Sequence, residues 1–335
     1  MGPIQMLAAE PSHGSSALKL SQLFRYARAD GQRRAQIWMP KQVALPPHSP
    51  WLPLLEEGWI RQQPHPNPAL VLVSDAADWR AADRLYGTST SRPRLQVFWG
   101  GDLRCWGHGA LTRPAIRVAL GEAVAQQLAA GQRLREPIHT LPMALDPEDL
   151  PAPGQATTDQ EVLLLASTNA TLGLALQQSL IRRGVRFRSE LSPWPMTQWQ
   201  SALAAAPVVV VLAPPPGEAS FGLRRLAAMA LRVPLVCEQR LLNDQLCRDG
   251  RNCLLRPSNP EALADAVISL LDPSGVGLRR QLVDGGLATL VRHRRARERL
   301  EFEQLLDQHQ QHWHQALSCH SDLKTASRSP APSSP

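Results

Sequence analysis

Short apolar runs in which consecutive residues, not alternate ones, are hydrophobic recur along the chain. In the first half they are Pro3 to Ala8, Ala35 to Met39, Ala69 to Ser74 and Leu95 to Trp99; in the second, Glu161 to Ala166, Pro207 to Ala213 and Pro234 to Cys237, with Val185 to Arg188 read as a further short strand. Strands buried on both faces read this way, which is the signature of parallel sheets covered by helices. Between the runs the apolar period lengthens. Ser15 to Ala29 sets Ala17, Leu20, Leu23, Phe24 and Ala27 on one helical face after the turn Ser12-His13-Gly14, and Gly121 to Ala130, Thr171 to Arg183, Gly222 to Leu231 and Pro260 to Leu271 also read as helices. Pro137 to Leu141 reads as extended. The alternation predicts an α/β protein.

A proline-rich segment without apolar period, 147–160, separates residues 1–146 from 161–317 and predicts a linker between two domains. Arg279 to Leu317 is helix-permissive, with an interruption expected at Gly285 and Gly286, and the Ser/Pro-rich stretch 318–335 predicts a disordered tail.

The longest apolar stretch, Ala202 to Ala213, is broken by Pro207 and falls short of the ~20 residues that cross a bilayer. The opening residues lack the cationic and long apolar regions of a secretory signal, so the chain reads as cytoplasmic. Five cysteines without a CxxC pair argue against a disulfide framework or a zinc ribbon and predict reduced thiols. The net charge is +7, and of 36 basic residues only Lys19, Lys41 and Lys324 are lysine. Arginine's planar fork suits phosphate and carboxylate, so nucleotides, nucleic acid and an anionic membrane surface all fit this balance. The run Arg292 to Arg299 has no aromatic interleaving; a structural helix ranks first for it, the inner membrane face second and nucleic acid last. His309, His312, His314, Cys319 and His320 lack zinc spacing and read as a solvated helix and frayed tail, and Asp75 and Asp78 read as helix caps.

The densest candidate chemistry lies in Pro214 to Asp272. A buried strand ends in a Pro/Gly loop, Ser220 stands near the start of the next helix, and Arg224 and Arg225 occupy its first turn. Free N–H groups and the helix dipole favour an anion there, which makes a phosphate pocket one reading and a solvated arginine face the other. In the first half, Asp102 and His108 follow the strand ending at Trp99 as candidates for acceptor contact or proton handling, or else Asp102 caps a turn. Gly14 lies in a turn that either meets a phosphate or starts an ordinary helix.

This stretch resembles the donor domain of retaining GT-B glycosyltransferases of the group 1, E-x7-E type. Phe221, Gly222, Ala228, Met229, Ala230, Pro234, Leu235 and Val236 fall in step with that motif, followed by Asp249, Gly250, Asn252, Leu254, Leu255, Pro257 and the helix start Pro260 to Ala264. The resemblance covers most of Glu161 to Leu306. It implies two Rossmann-like domains facing a cleft, the first on the acceptor side and the second binding a nucleotide sugar, with C-terminal crossover helices. It also implies hexosyl transfer to a glycan or lipid-linked acceptor in polysaccharide biosynthesis, without a metal or cofactor. Ser167, Asn169, Glu218, Ser220, Phe221, Gly222, Arg224 and Arg225 are then the candidate donor contacts, Gly14 faces them, and Asp102, His108 and Glu218 are the catalytic candidates. The sequence departs from the motif where charge is needed. The two motif glutamates fall on Ala219 and Ala227, with Glu218 one place early; the diphosphate loop reads Ala166 to Ala170; and the motif's helix-ending glycine is Arg232. Arg224 and Arg225 could replace the missing cations. A catalytically degenerate binding or scaffold protein is the alternative, since fold does not imply activity.

Overall fold

The computed structural model describes residues 2–10, 15–29, 31–40, 44–45, 47, 49–87, 93–99, 110, 113–130, 134, 136–150, 161–165, 170–190, 196–212, 222–239 and 246–326. The chain forms two compact units. One comprises Met1–His13, Ala17–Leu141 and Arg299–Pro335; the other Gly14–Ser16 and Pro142–Glu298. Residues from Arg299 onward thus belong to the first unit, whereas the sequence reading carries the second domain to residue 317.

The first unit holds seven parallel strands: β1 (Ile4–Leu7), β2 (Ala35–Trp38), β3 (Ile60–Arg61), β4 (Leu70–Val73), β5 (Arg94–Trp99), β6 (Ile116–Ala119) and β7 (Ile138–Thr140), in the order β3-β2-β1-β4-β5-β6-β7. Helices α1 (Ser15–Arg28), α2 (Leu52–Glu56), α3 (Ala76–Tyr86) and α4 (Glu122–Ala130) connect them. Every residue of β1 and β4 is buried, as the unbroken apolar runs require of strands covered on both faces. One core packs Leu7, Val71, Val73, Trp79, Val97 and Trp99 between sheet and helices.

The second unit repeats the architecture with β8 (Val162–Leu165), β9 (Phe187–Glu190), β10 (Val209–Val211), β11 (Leu235–Glu238) and β12 (Leu254–Arg256), ordered β12-β11-β10-β8-β9 and again all parallel. Its helices are α5 (Ala170–Arg182), α6 (Met196–Ala205), α7 (Leu223–Ala230), α8 (Pro260–Leu271) and α9 (Val276–Leu290); α10 (Arg295–Asp307) and α11 (His309–Ala326) follow. Asn259 caps α8 by accepting hydrogen bonds from the N–H groups of Glu261 and Ala262, and Pro260 occupies a first-turn position that needs no donor. The α/β class read from the sequence is the class observed.

Four sequence expectations change. Gly285 and Gly286 lie inside the continuous helix α9: a Cβ at Gly285 would overlap the Arg251 carbonyl, and one at Gly286 would lie 3.1 Å from Met229 Cγ. Their role is close approach, not helix breaking. The C-terminal helix α11 runs to Ala326, past the expected start of a disordered tail at Ser318. His309 and His312 do not lie on the solvated face of α11, although His314 does. His309 is buried with its ring 3.0 Å from an Arg94 nitrogen, and the His312 ring centroid lies 4.1 Å from that of His139. Finally, β6 escapes an apolar-run reading because Arg117 stands in its middle.

Arg117 is fully buried and donates to Glu136 at 3.1 Å and to the carbonyls of Ala110 and Arg113 at 2.7 and 2.6 Å. The arginine run behaves as structure. Arg294 reaches Glu148 at 3.1 Å and Asp146 at 3.8 Å, the Arg295 N–H donates to Asp146, and Arg299 pairs with Glu303 at 2.8 Å. These bonds anchor residues 146–148, where the linker was expected to begin; residues 151–160 lie outside the described set. No helix among the described residues is long and apolar enough to cross a membrane.

Two substitutions probe this frame. Glu136→Ala leaves a buried, uncompensated arginine and should cost about 3–5 kcal/mol in denaturant unfolding, whereas Glu148→Ala, which breaks an exposed, solvent-screened pair, should leave the unfolding midpoint nearly unchanged. Arg232 follows α7 at φ 60°, and the Val233 N–H closes the helix end on the Ala228 carbonyl at 2.9 Å. A left-handed non-glycine residue costs ~1–2 kcal/mol, part of which glycine gives back in unfolded-state entropy. Arg232→Gly should therefore raise the unfolding midpoint by a few degrees, and a lower midpoint would show that the arginine side chain outweighs the backbone strain.

Candidate functional site

Parallel strands discharge their loops at one edge, and a ligand crevice opens where adjacent strands send their connections in opposite directions. In the second sheet that point lies between β8 and β10, whose ends pair through Leu165 and Val211. The segments leaving these strands, 166–169 and 213–221, lie outside the described residues, and with them Ser167, Asn169, Glu218, Ser220 and Phe221. Gly14, Asp102 and His108 lie outside as well.

Gly222, Arg224 and Arg225 are described, and the switch point brings them into the same region. Gly222 is the N-cap of α7 at φ 75°, a conformation natural to glycine, and a Cβ there would lie 2.6 Å from Leu246 Cδ2. Having no side chain, it offers the first-turn N–H groups no cap, which leaves that job to a loop or an anion. The two arginines differ. Arg224 is half-buried, whereas Arg225 is only 5% exposed and belongs to the inward face with Leu226 and Met229. Hydrogen bonds from Cys237 and Cys253, and then the Arg225 guanidinium, hold the Cys247 thiol well below the usual thiol range. Ala227, where the motif's second glutamate would stand, is completely buried.

The turn that the motif marks with Asp249, Gly250 and Asn252 is held by its own side chains. Buried Asn252 accepts from the Arg248 N–H and donates to the Leu246 carbonyl and Thr289 Oγ1, all at 2.8 Å. Asp249 accepts from the Leu255 N–H at 2.8 Å and from Arg256 at 3.2 Å. These side chains shape the backbone of the turn.

The first sheet has its switch point between β1 and β4, and Asp78 closes it. The carboxylate accepts from the Ala9 N–H beyond β1 at 2.8 Å, and from the Ser74 N–H and hydroxyl beyond β4 at 3.1 and 2.6 Å. Asp75 caps α3 by accepting from the Asp78 N–H. Burial first, and the neighbouring Asp75 second, push the Asp78 carboxyl up to about 8. The sequence showed two cap candidates here but gave no sign that one of them joins two strand ends. A groove of about 680 Å³, lined by Gln36, Leu55, Arg61 and His65 among others, flanks the edge strand β3, two strands away from this crevice.

Residues 157–273 match the family model described as glycosyl transferases group 1. No curated protein matches the chain. Among solved structures the chain is similar to Anabaena Alr3699/HepE in complex with UDP-glucose, at 15% identity and TM-score 0.70 over 92% of this chain and all of that one. It is also similar to a sucrose-phosphate synthase from Thermosynechococcus elongatus, at 12% identity and TM-score 0.66 over 92% and 99% of the two chains. A third is the lipopolysaccharide outer core galactosyltransferase WaaB, at 13% identity and TM-score 0.62 over 91% and 99%. The fold is that of GT-B proteins, with two parallel Rossmann-like sheets.

Two titrations of opposite sign should shape the stability of this fold. Asp78 has its carboxyl raised from 3.8 to about 8, so the native state holds the extra proton and stability falls as pH climbs through that window. His139 is lowered from 6.5 to about 4 by burial and by His312, so stability rises as pH climbs from 4 to 6.5. The two offset each other on the acid side, and between about pH 6.5 and 8 Asp78 contributes a decline of up to about 1.4 kcal/mol per unit, which the lowered Cys247 thiol opposes. Denaturant unfolding at a series of pH values should show the Asp78 contribution as a difference in slope between the wild type and Asp78→Asn; an equal slope in both would assign the proton elsewhere.

Proposed function

We propose that this protein binds a nucleotide sugar at the carboxyl edge of its second sheet and transfers the sugar, with retention, to a glycan or lipid-linked acceptor. The observation that carries the reading is the extent of the family match. Residues 157–273 take in both switch-point strands, β8 and β10, the glycine-started helix α7 and the braced turn before β12. Uridine nucleotides are the first donors to test, because the similar HepE structure contains UDP-glucose.

Transfer with retention asks little proton chemistry of the protein, because the leaving diphosphate can take the acceptor proton on its own face of the sugar. Catalysis then rests on positioning and on stabilising the diphosphate charge. The first turn of α7, to which Gly222 offers no side-chain cap, would supply N–H donors for that charge, without a metal in this reading. Arg224 is the cation we assign to the diphosphate, because it is the less buried of the two first-turn arginines, whereas Arg225 faces the core beside Cys247. Gly14, Glu218, Ser167, Asn169, Ser220 and Phe221 complete the donor side in this reading, and Asp102 and His108 the acceptor side.

A second reading, a degenerate member that binds but does not turn over, is favoured by Ala227. A carboxylate facing ribose cannot be supplied from a position that is sealed in the core. Thermal shift and calorimetry with UDP and UDP-sugars, joined to an assay for released UDP, separate the readings. Saturable binding with release supports the enzyme, binding without release supports the degenerate protein, and no binding of any nucleotide diphosphate overturns both. Arg224→Ala should weaken UDP binding by about 10–150-fold, the worth of one charge-assisted bond, with the fold unchanged. Unaltered affinity would remove Arg224 from the site.

A further inference from the structure

Three cysteines far apart in their sequence surroundings converge at the end of β11. Cys237 lies in that strand, Cys247 opens the turn that follows, and Cys253 closes it before β12. All three are at most 1% exposed. The sulfurs of Cys237 and Cys247 are 3.7 Å apart, and all three sulfurs lie within 4.8 Å of one another. Among the described residues this is the one set of three His, Cys, Asp or Glu side chains close enough to share an ion.

Core packing alone does not explain the convergence. Cysteines buried as small apolar groups need only be covered, whereas here the backbone turns their sulfurs toward a common point. The turn is held for this. Asp249 and Cys253 form a β-bridge, the Gly250 N–H donates to the Cys253 carbonyl at 2.9 Å, and Asn252 ties the turn to Leu246 and Thr289.

We infer that Cys237, Cys247 and Cys253 form a thiolate site for a soft divalent cation of the zinc type. Zn–S bonds of about 2.3 Å place tetrahedral ligand sulfurs roughly 3.8 Å apart, which the Cys237 and Cys247 pair already meets. Charge selects the ion further. Three thiolates and a divalent cation leave one negative charge, which the buried guanidinium of Arg225 beside Cys247 neutralises. A monovalent copper ion would leave a second negative charge uncompensated in a dry site. Asp249, the other charge facing the group, is itself paired with Arg256. Each thiol that still carries a proton releases it to solvent on uptake, so affinity rises with pH. The fourth position of the ion falls to water or another group outside the triad. Such an ion would pin the turn to β11 and, through Arg225, to the first turn of α7.

Cobalt(II) titration of the full-length reduced chain in oxygen-free buffer tests the site. One equivalent should produce a thiolate-to-metal charge-transfer band and the visible bands of a tetrahedral ion, and zinc should displace it. The double variant Cys105→Ser, Cys319→Ser keeps only the triad and should keep the bands, together with a zinc-dependent rise in unfolding temperature. Single serine substitutions at Cys237, Cys247 or Cys253 should lose them, and Arg225→Gln should weaken uptake about 10–100-fold. If the triad variants do not fold, the double variant decides alone. A folded, reduced double variant that shows neither bands nor thermal stabilisation would overturn the site, as would bands unchanged in a folded triad variant.

Discussion

Every strand pair in both sheets is parallel, and most of what distinguishes this protein follows from that constraint. Parallel neighbours cannot be joined by a tight turn, so each strand must be followed by a covering crossover before the next one pairs. The sheets are therefore buried on both faces, and all strand carboxyl ends empty at one edge. Backbone groups that leave the ladders there need new partners, and the two units satisfy them differently. In the first, the Asp78 carboxylate bridges the exits of β1 and β4 and takes up their N–H groups itself. In the second, α7 begins at a glycine that offers no side-chain acceptor. The first switch point is closed by the protein's own carboxyl group, whereas at the second the N-cap residue of α7 makes no side-chain cap.

The alternation of helices and strands was legible because burial on both faces leaves an unbroken apolar signature. It failed where a buried charge interrupts that signature. Arg117 makes β6 look like a surface segment, although Glu136, nineteen residues further on, neutralises it in the core. Gly285 and Gly286 misled for a related reason: local propensity reads glycine as a break, while the helix uses it to bring its backbone against Arg251 and Met229. His309 and His312 read as solvent-facing because their partners, Arg94 and His139, are remote in sequence. The cysteine triad was invisible for another reason: its spacing matches no motif, and it is the turn before β12 that carries Cys247 and Cys253 to the sulfur of Cys237.

Along this stretch, residues that keep the group 1 pattern shape backbone, while two of the departures, Ala219 and Ala227, fall where the pattern carries charge. Gly222 holds a left-handed N-cap, Asn252 saturates a turn, and Asn259 with Pro260 starts α8. Arg232 makes the separation sharpest. The glycine is gone, yet the left-handed φ and the closing bond from Val233 to Ala228 remain, so the geometry of the helix end has outlasted the residue type that makes it easy. The glutamate position at Ala227 shows the converse, for there the backbone is helical as the motif requires while the side chain has become part of the core.

A fold can hold its shape through such exchanges because backbone geometry is over-determined by packing, whereas a ligand contact depends on a single side chain. The buried face of α7 illustrates the difference. Its apolar residues fix where the helix starts and which way its dipole points, and those two properties suffice to present N–H donors to a phosphate whatever residues surround them. Recognition of a particular nucleotide or sugar has no such support from the fold and must come from the side chains around that helix. On the proposed donor reading, the helix start would meet the diphosphate, and the side chains around it, Arg224 among them, would select which nucleotide carries it.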